Sequence, residues 1–350
     1  MRSFIFSIII LTLSFLIYIY PLNIATYLLL NTKVTEPFAL IPTLVIAVGI
    51  YVFFKTHYTS PLLGGVIHYG MGIGFIGFWL FNLGLIVCLA LPSKNLEIGL
   101  ICCFMTIVIC VRSCANGSRI HIKNINFSSP KIDRPIEIVF ISDVHLGSNP
   151  KQHLEKICGK ISQLDYQYLL IGGDLFDSSA FQASDLYPLK RIQKPILYVT
   201  GNHEYYVKNS RNRIAELAQY DVTILDNRSE QFGILNIIGI SDHTLLKAQT
   251  KITETLICKE KFNLVLVHKP SIWENVAENL DLMLSGHTHN GQIFPFNLFV
   301  RLQFKTVYGI YKKQSSNLYV SSGSGTWGPR MRFMSQNEVV KILLTPQRIN

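Results

Sequence analysis

Charge is what the first third of this chain lacks. Residues 1–115 carry only Arg2, Lys33, Glu36, Lys55, Lys94, Glu97 and Arg112 as charged groups. A soluble helical domain would need polar faces repeating at helical period, and none is present. A cleavable signal peptide is the rival reading of the first run, and the sequence speaks against it. The charged start is a single Arg2, no small-residue cleavage site follows, and further apolar runs come after the first. Acids are scarce at the other end too. Residues 299–350 hold Arg301, Lys305, Lys312, Lys313, Arg330, Arg332, Lys341 and Arg348 against one acid, Glu338. No aromatic–basic stacking motif accompanies these cations, so nucleic acid is not an expected partner. Cysteine is present without a pattern. Of seven, Cys88, Cys102, Cys103, Cys110 and Cys114 lie in or beside the apolar runs, and only Cys158 and Cys258 lie elsewhere. Nothing reads as a disulfide framework or a CxxC knuckle, which fits a reducing compartment. There is no internal repeat and no low-complexity segment.

What is present in residues 1–115 is four apolar runs: Ser3–Tyr20, Phe38–Phe54, Met71–Leu91 and Ile98–Val111. A helix crossing the hydrocarbon needs about 20 apolar residues. The third run meets that alone, the others do so with neutral flanks, and the first can extend through Leu30. The expectation is a bundle of about four membrane helices over 1–115, a basic linker over 116–135, and a second domain over 136–350. Four crossings put both termini on one side. Arg2, Lys55, Arg112, Arg119, Lys123, Lys131 and Arg134 lie there, against Lys33 and Lys94 opposite. The positive-inside rule then places the large domain in the cytoplasm. With a net charge of +10, the basic clusters also suit anionic lipid headgroups or a phosphorylated substrate.

After Gly117–Pro135, short apolar strands alternate with more polar stretches. Strands are expected at Ile136–Ile141, Tyr168–Ile171, Ile196–Thr200, Phe262–Val267, Leu282–Leu284 and Leu318–Val320. Helices are expected at Lys151–Leu164, Ser184–Gln193, Ser210–Tyr220 and Ile272–Asn279. This alternation is that of a layered α/β domain, where ligands gather beyond the carboxyl ends of strands. Five strand-end loops carry residues that bind metals. Asp143 and His145 are two apart, which in extended chain points both to one face. Asp174 follows Gly172-Gly173, and a carboxylate there can bridge two cations. Asn202 and His203 follow Gly201. His268 ends Leu264–Val267. His287 and His289 follow Gly286. One Asp before a Gly is ordinarily a turn or a cap. Five loops of this type, holding five of the ten histidines, are hard to explain by turns. Mixed oxygen and nitrogen ligation by seven side chains suits two ions of Mn, Fe, Zn or Ni.

The series Asp143-x-His145, Gly173-Asp174, Gly201-Asn202-His203-Glu204, His268 and Gly286-His287-x-His289 resembles the calcineurin-like metallophosphoesterase superfamily over about residues 136–345. With the loop Ser321–Pro329 and the preceding apolar helices, it resembles the membrane-anchored subgroup described as transmembrane proteins with a metallophosphoesterase domain. The resemblance implies a four-layer αββα sandwich. It implies one metal on Asp143, His145, Asp174 and His289, and a second on Asp174, Asn202, His268 and His287. His203 is then the proton donor to the leaving oxygen, and Arg332 or Arg330 a counter-charge to phosphate, with the subgroup favouring Arg332. Two positions depart from the pattern. Ser178 stands where protein phosphatases of the superfamily have Arg, which speaks against phosphoprotein substrates. Asn290 stands where the subgroup usually has Gly, with Gly291 next. The segment Ile293–Lys305 mixes aromatics with Arg and Lys, the composition of an interfacial element or of a core strand and loop. An interfacial element would make a lipid-linked phosphodiester or pyrophosphate the natural substrate. Some relatives of similar build cleave UDP-2,3-diacylglucosamine, a bacterial lipid precursor. The rival expectations are a general phosphomonoesterase and a membrane-tethered scaffold that kept the fold without the chemistry.

Overall fold

The computed structural model describes residues 2–32, 35–56 and 61–347; Lys33 and Arg348, counted above in the charge pattern, lie outside them. The chain divides into two compact units, one of residues 1–115 with 328–333 and one of residues 116–327 with 334–350.

The first unit is helical. Helix α1 (Arg2–Ser14) passes through a π-helical turn, Phe15–Ile19, into α2 (Tyr20–Leu30), and α3 (Glu36–Thr56), α4 (Pro61–Ala90) and α5 (Asn95–Ser118) follow. Among the described residues, three spans are long and apolar enough to cross a membrane: Phe4–Leu30, Leu63–Ala90 and Asn95–Ser118. The fourth apolar helix, Pro37–Phe53, is shorter. The small buried cluster of this unit is Ile24, Leu28, Phe81, Ile98 and Cys102. Most other large apolar side chains of these helices are exposed, among them Phe38, Leu89 and Phe104. Apolar all round with a thin interior is the pattern of helices solvated by lipid.

In the second unit, strand β1 (Ile120–Ser129) comes where a basic linker is expected from its Ser, Lys and Arg content. Its Ile125, Phe127 and Ser129 alternate inward, and it pairs in parallel with a distant strand near the chain's end. Then follow β2 (Ile136–Ile141), α6 (Lys151–Ile161), β3 (Tyr168–Gly172), β4 (Ile196–Val199), α7 (Ser210–Ala215), β5 (Val222–Ile224), β6 (Arg228–Phe232), β7 (Leu235–Ile240), α8 (Leu246–Leu256), β8 (Phe262–Val267), α9 (Trp273–Val276), β9 (Leu282–Ser285), α10 (Phe296–Gln303), β10 (Gly309–Lys313), β11 (Ser316–Val320) and β12 (Asn337–Pro346). The stretch expected as a helix near Ser184–Gln193 is a 3₁₀ segment, Ala183–Arg191, with Pro188 inside it.

Two six-stranded sheets result, ordered β1-β12-β2-β3-β4-β5 and β10-β11-β9-β8-β7-β6. The interior strands β2–β4 and β7–β9 run parallel to their sequence neighbours in the sheet. Period-two alternation sorts their side chains. Ile138 and Phe140 of β2 face the second sheet with Leu264, Leu266, Leu282 and Leu284. Val139 and Ile141 face the opposite way, onto Leu154, Ile157 and Ile161 of α6. Val265, Val267 and Met283 pack outward with Ile272, Trp273 and Val276 at α9. Three buried clusters between four layers make an αββα sandwich. Strands covered on both faces read as continuous apolar runs, which is why β2 and β8 are legible in sequence.

Candidate metal centre

All five strand-end loops meet at the carboxyl ends of β2, β3, β4, β8 and β9. The ligand atoms fall into three close groups: Asp143 with His145 and His289, His145 with Asp174 and His203, and Asp174 with His268 and His287; within each, atoms lie within 4.8 Å of one another. Asp174 Oδ2 is 3.0 Å from His268 Nε2, 3.8 Å from His145 Nε2 and 3.9 Å from His203 Nε2. Asp143 Oδ1 is 3.4 Å from His289 Nε2. Asn202 stands between Gly201, where an added Cβ would strike the Asp174 carboxylate, and His203, whose N–H donates to Asp174 Oδ1 at 2.9 Å.

The backbone in these loops is unusual. Asp143, His145, Asp174, His287 and His289 have φ of 55°, 53°, 51°, 72° and 50°. In that left-handed region Cβ crowds the backbone carbonyl, so side-chain-bearing residues avoid it. Such positions cost on the order of 1–3 kcal/mol each and persist where surroundings over-determine them. Here Asp143 N–H donates to Gly173 C=O at 3.0 Å, and His145 N–H to Asp174 C=O at 3.0 Å. The expected extended geometry for Asp143 and His145 is therefore replaced by two left-handed residues tied to the β3 loop. Glycine is required where loops touch carboxylates. A Cβ on Gly201 would strike Asp174 Oδ1, and one on Gly286 would strike Asp143 Oδ2.

The imidazoles are aimed from behind. His145 Nδ1 lies 3.1 Å from Asp177 Oδ2, and that carboxylate also accepts from the Ser148 N–H at 2.9 Å and hydroxyl at 2.6 Å. His268 Nδ1 faces Gly172 C=O at 2.9 Å. Each ring is thus fixed with Nε2 directed inward, as metal-binding histidines are.

The electrostatics are those of a site built for cations. Burial pushes the Asp143 carboxyl up, against the pull of nearby His268. Burial alone would raise Asp174 also, but His268, then His203 and His145, outweigh it and hold it well below the usual range. His268 is pushed up to about 10, because Asp174 overcomes the effect of burial. Burial and the charge on His268 hold His287 down to about 2. Burial holds His203 down to about 4.

Two contacts test whether divalent ions fit. His145 Nε2 faces His289 Nε2 at 3.1 Å, and His287 Nδ1 faces His268 Nε2 at 3.2 Å. With their protons displaced, these nitrogens would direct lone pairs at shared points. Asn202 Oδ1 is buried without a hydrogen-bond partner. Carboxylates, imidazole nitrogens and an amide oxygen are a donor set for borderline divalent metals.

Residues 136–291 match the family model described as calcineurin-like phosphoesterase. The chain carries a calcineurin-like phosphoesterase domain. It is 34% identical over 242 residues to an uncharacterized metallophosphoesterase of Helicobacter pylori, covering 66% of this chain and 65% of that protein. An uncharacterized metallophosphoesterase of Campylobacter jejuni is 31% identical over 234 residues, 63% of this chain and 62% of that one. A transmembrane protein with metallophosphoesterase domain from Bos taurus is 28% identical over 234 residues, 60% of this chain and 53% of that protein. The chain thus spans less than two thirds of the length of these relatives.

Two buried acids outside the proposed ligand sets, Glu204 and Glu338, hold loops of this unit in place. Glu204 is fully buried. Its Oε1 accepts from the N–H of Leu175 at 2.5 Å and Phe176 at 3.3 Å, and its Oε2 from Asp174 at 3.2 Å and Gly201 at 2.9 Å. It clamps the Asp174 loop to the Asn202 loop. Burial, and then Asp174, push its carboxyl up to about 7. Glu338, in β12, accepts from Tyr319 Oη at 2.7 Å, Ser321 Oγ at 2.9 Å and Ser322 N–H at 3.1 Å, anchoring the Ser321–Gly325 loop. A lone acid inside an apolar run was the available signal. Arg330 and Arg332 belong to segment 328–333 of the helical unit, Arg330 with its guanidinium over Tyr69 at 6.0 Å and Arg332 fully buried.

Glu204→Ala leaves four buried N–H groups without their acceptor. At about 1–3 kcal/mol for an unsatisfied buried group, partly relieved by water, a loss of roughly 3 kcal/mol is expected. That corresponds to a melting temperature lower by about 6–12 °C, read by thermal denaturation of the purified full chain. An unchanged melting temperature would remove Glu204 from this role.

Proposed function

We propose that this protein is a membrane-anchored hydrolase that cleaves a phosphodiester or pyrophosphate bond using two divalent cations. Asp143, His145, Asp174 and His289 would hold one ion, and Asp174, Asn202, His268 and His287 the other. The observation that carries this is the convergence of buried imidazole nitrogens from four loops on the two oxygens of Asp174 and Asp143. When bound, such ions supply Lewis acidity toward phosphoryl oxygens and toward water at neutral pH.

The chain's own residues supply the rest. Asp177 and the Gly172 carbonyl keep His145 and His268 in the tautomers that present Nε2. His203, beside Asn202, hands a proton to the leaving oxygen. The negative charge of a bound phosphate favours its protonated form, which burial otherwise disfavours. Tyr206 and Trp327 flank the His203 ring edge-on at 5.2 and 5.7 Å and give the leaving group an apolar wall. The juxtamembrane cations argue for a cytoplasmic domain. A lipid-linked phosphoester is the substrate class consistent with an anchored enzyme.

The decisive experiment is metal analysis of the purified full chain, paired with hydrolysis of p-nitrophenyl phosphate and bis(p-nitrophenyl) phosphate. About two divalent ions per chain, diester hydrolysis exceeding monoester hydrolysis, and loss of both on chelation are expected. Protein that binds no divalent ion would be a scaffold. A preference for the monoester would make it a phosphomonoesterase.

A further inference from the structure

Helix α10 follows the His289 loop within seven residues and is out of keeping with a water-facing surface. Phe296, Leu298, Phe299 and Leu302 are 50%, 49%, 47% and 85% exposed, and Phe294 just before them is 39% exposed. No residue of this helix is buried. Phe296 and Phe299 lie one turn apart with rings 6.2 Å from each other, and Leu298 and Leu302 share the next stripe. A contiguous apolar patch of this kind marks a surface that is covered in use.

Charge says by what. Residues 282–337 contain no Asp or Glu but carry Arg301, Lys305, Lys312, Lys313, Arg330 and Arg332. Arg301 and Lys305, both exposed, bracket the end of α10. An apolar stripe edged by exposed Arg301 and Lys305, in a stretch of chain without acids, complements anionic headgroups over acyl chains. Four side chains on one short helix fall well below the roughly 800 Å² per partner of a stable protein interface. A bilayer is also within the chain's reach, since α5 ends at Ser118 and β1 begins at Ile120.

The helix is joined to the centre. Its Asn297 backbone lies so close to Gly291 that no Cβ could be accommodated there, and the Phe304 ring meets the His287 ring at 5.2 Å. We propose that α10 docks on the surface of an anionic bilayer. Phe296, Leu298, Phe299 and Leu302 enter the interface, and Arg301 and Lys305 lie against lipid phosphates. The loop bearing His287 and His289 is thereby held at a fixed height over the headgroups.

The test uses the full chain in vesicles with a photo-reactive phenylalanine analogue at position 302, or at exposed Glu260 as control. Position 302 is exposed enough that the fold is not at risk. Vesicles contain phosphatidylglycerol or phosphatidylcholine alone. A lipid adduct is expected at 302, several-fold above that at 260, and reduced when phosphatidylglycerol is omitted. An adduct no greater than at 260, one indifferent to phosphatidylglycerol, or a crosslink to protein in place of lipid overturns the proposal. Hydrolysis is not read, so failure here leaves the metal-centre reading untouched.

Discussion

Asp174→Asn is expected to lower hydrolysis of bis(p-nitrophenyl) phosphate by about 10³ and to lower the content of both metal ions. Asp174 is the carboxylate that faces both imidazole groups, with Oδ2 at 3.0 Å from His268 and 3.8 Å from His145. Asparagine keeps its shape and an oxygen acceptor for the His203 N–H, so the fold should survive. What would go is the negative charge that Asp174 would offer to the two proposed cations. Two-metal sites contribute several kcal/mol of charge stabilisation, and 1.36 kcal/mol is tenfold, which gives the figure of about 10³. Elemental analysis and circular dichroism of the same preparation separate metal loss from unfolding. A folded variant that retains both ions and wild-type turnover would show that Asp174 does not bridge.

His203→Ala should behave differently. Metal content should be unchanged, and turnover should fall by roughly 10²–10⁴, the usual worth of a positioned general acid. His203 is the member of the cluster that the proposed ligand sets do not use. Its Nε2 is 3.9 Å from Asp174, and its ring stands edge-on to His145 at 4.8 Å. The size of the loss should depend on the leaving group. A nitrophenolate leaves without a proton, whereas an alkoxide needs one, so an alkyl diester should suffer much more than a nitrophenyl diester. An equal loss on both would mean that His203 shapes the site without transferring a proton.

The two variants therefore dissect the cluster along different lines. One should remove the ions and the chemistry together, the other the chemistry alone. Glu204→Ala tests a third element, the buried carboxylate that holds two ligand loops by their backbone.

Much of the second unit was legible because its central strands are covered on both faces. Runs such as Ile136–Ile141 and Phe262–Val267 stand out as unbroken apolar segments. Strand β1 was not, because its polar residues face outward and its partner, β12, lies more than two hundred residues away. The segment Ile293–Lys305 was singled out by composition but left open between an interfacial element and a core strand and loop. Only the structure makes its part Phe296–Gln303 a helix, α10, with no residue buried. Glu204 was noticed for its place beside His203. Its four backbone partners lie about thirty residues upstream or at Gly201, and no local pattern reveals them.

By itself, the sequence determined the chemical inventory of this protein: which residue types stand at the ends of which strands, and an N-terminal third too apolar for water. These are local properties, written in composition and period. Only the tertiary structure decided that Asp143, His145, Asp174, His287 and His289 adopt left-handed backbone, and that Asp177, Gly172 and Glu204 aim and clamp them. Those features depend on contacts between loops distant in the chain, where the free energy of the whole packed sandwich holds conformations that no single loop would choose.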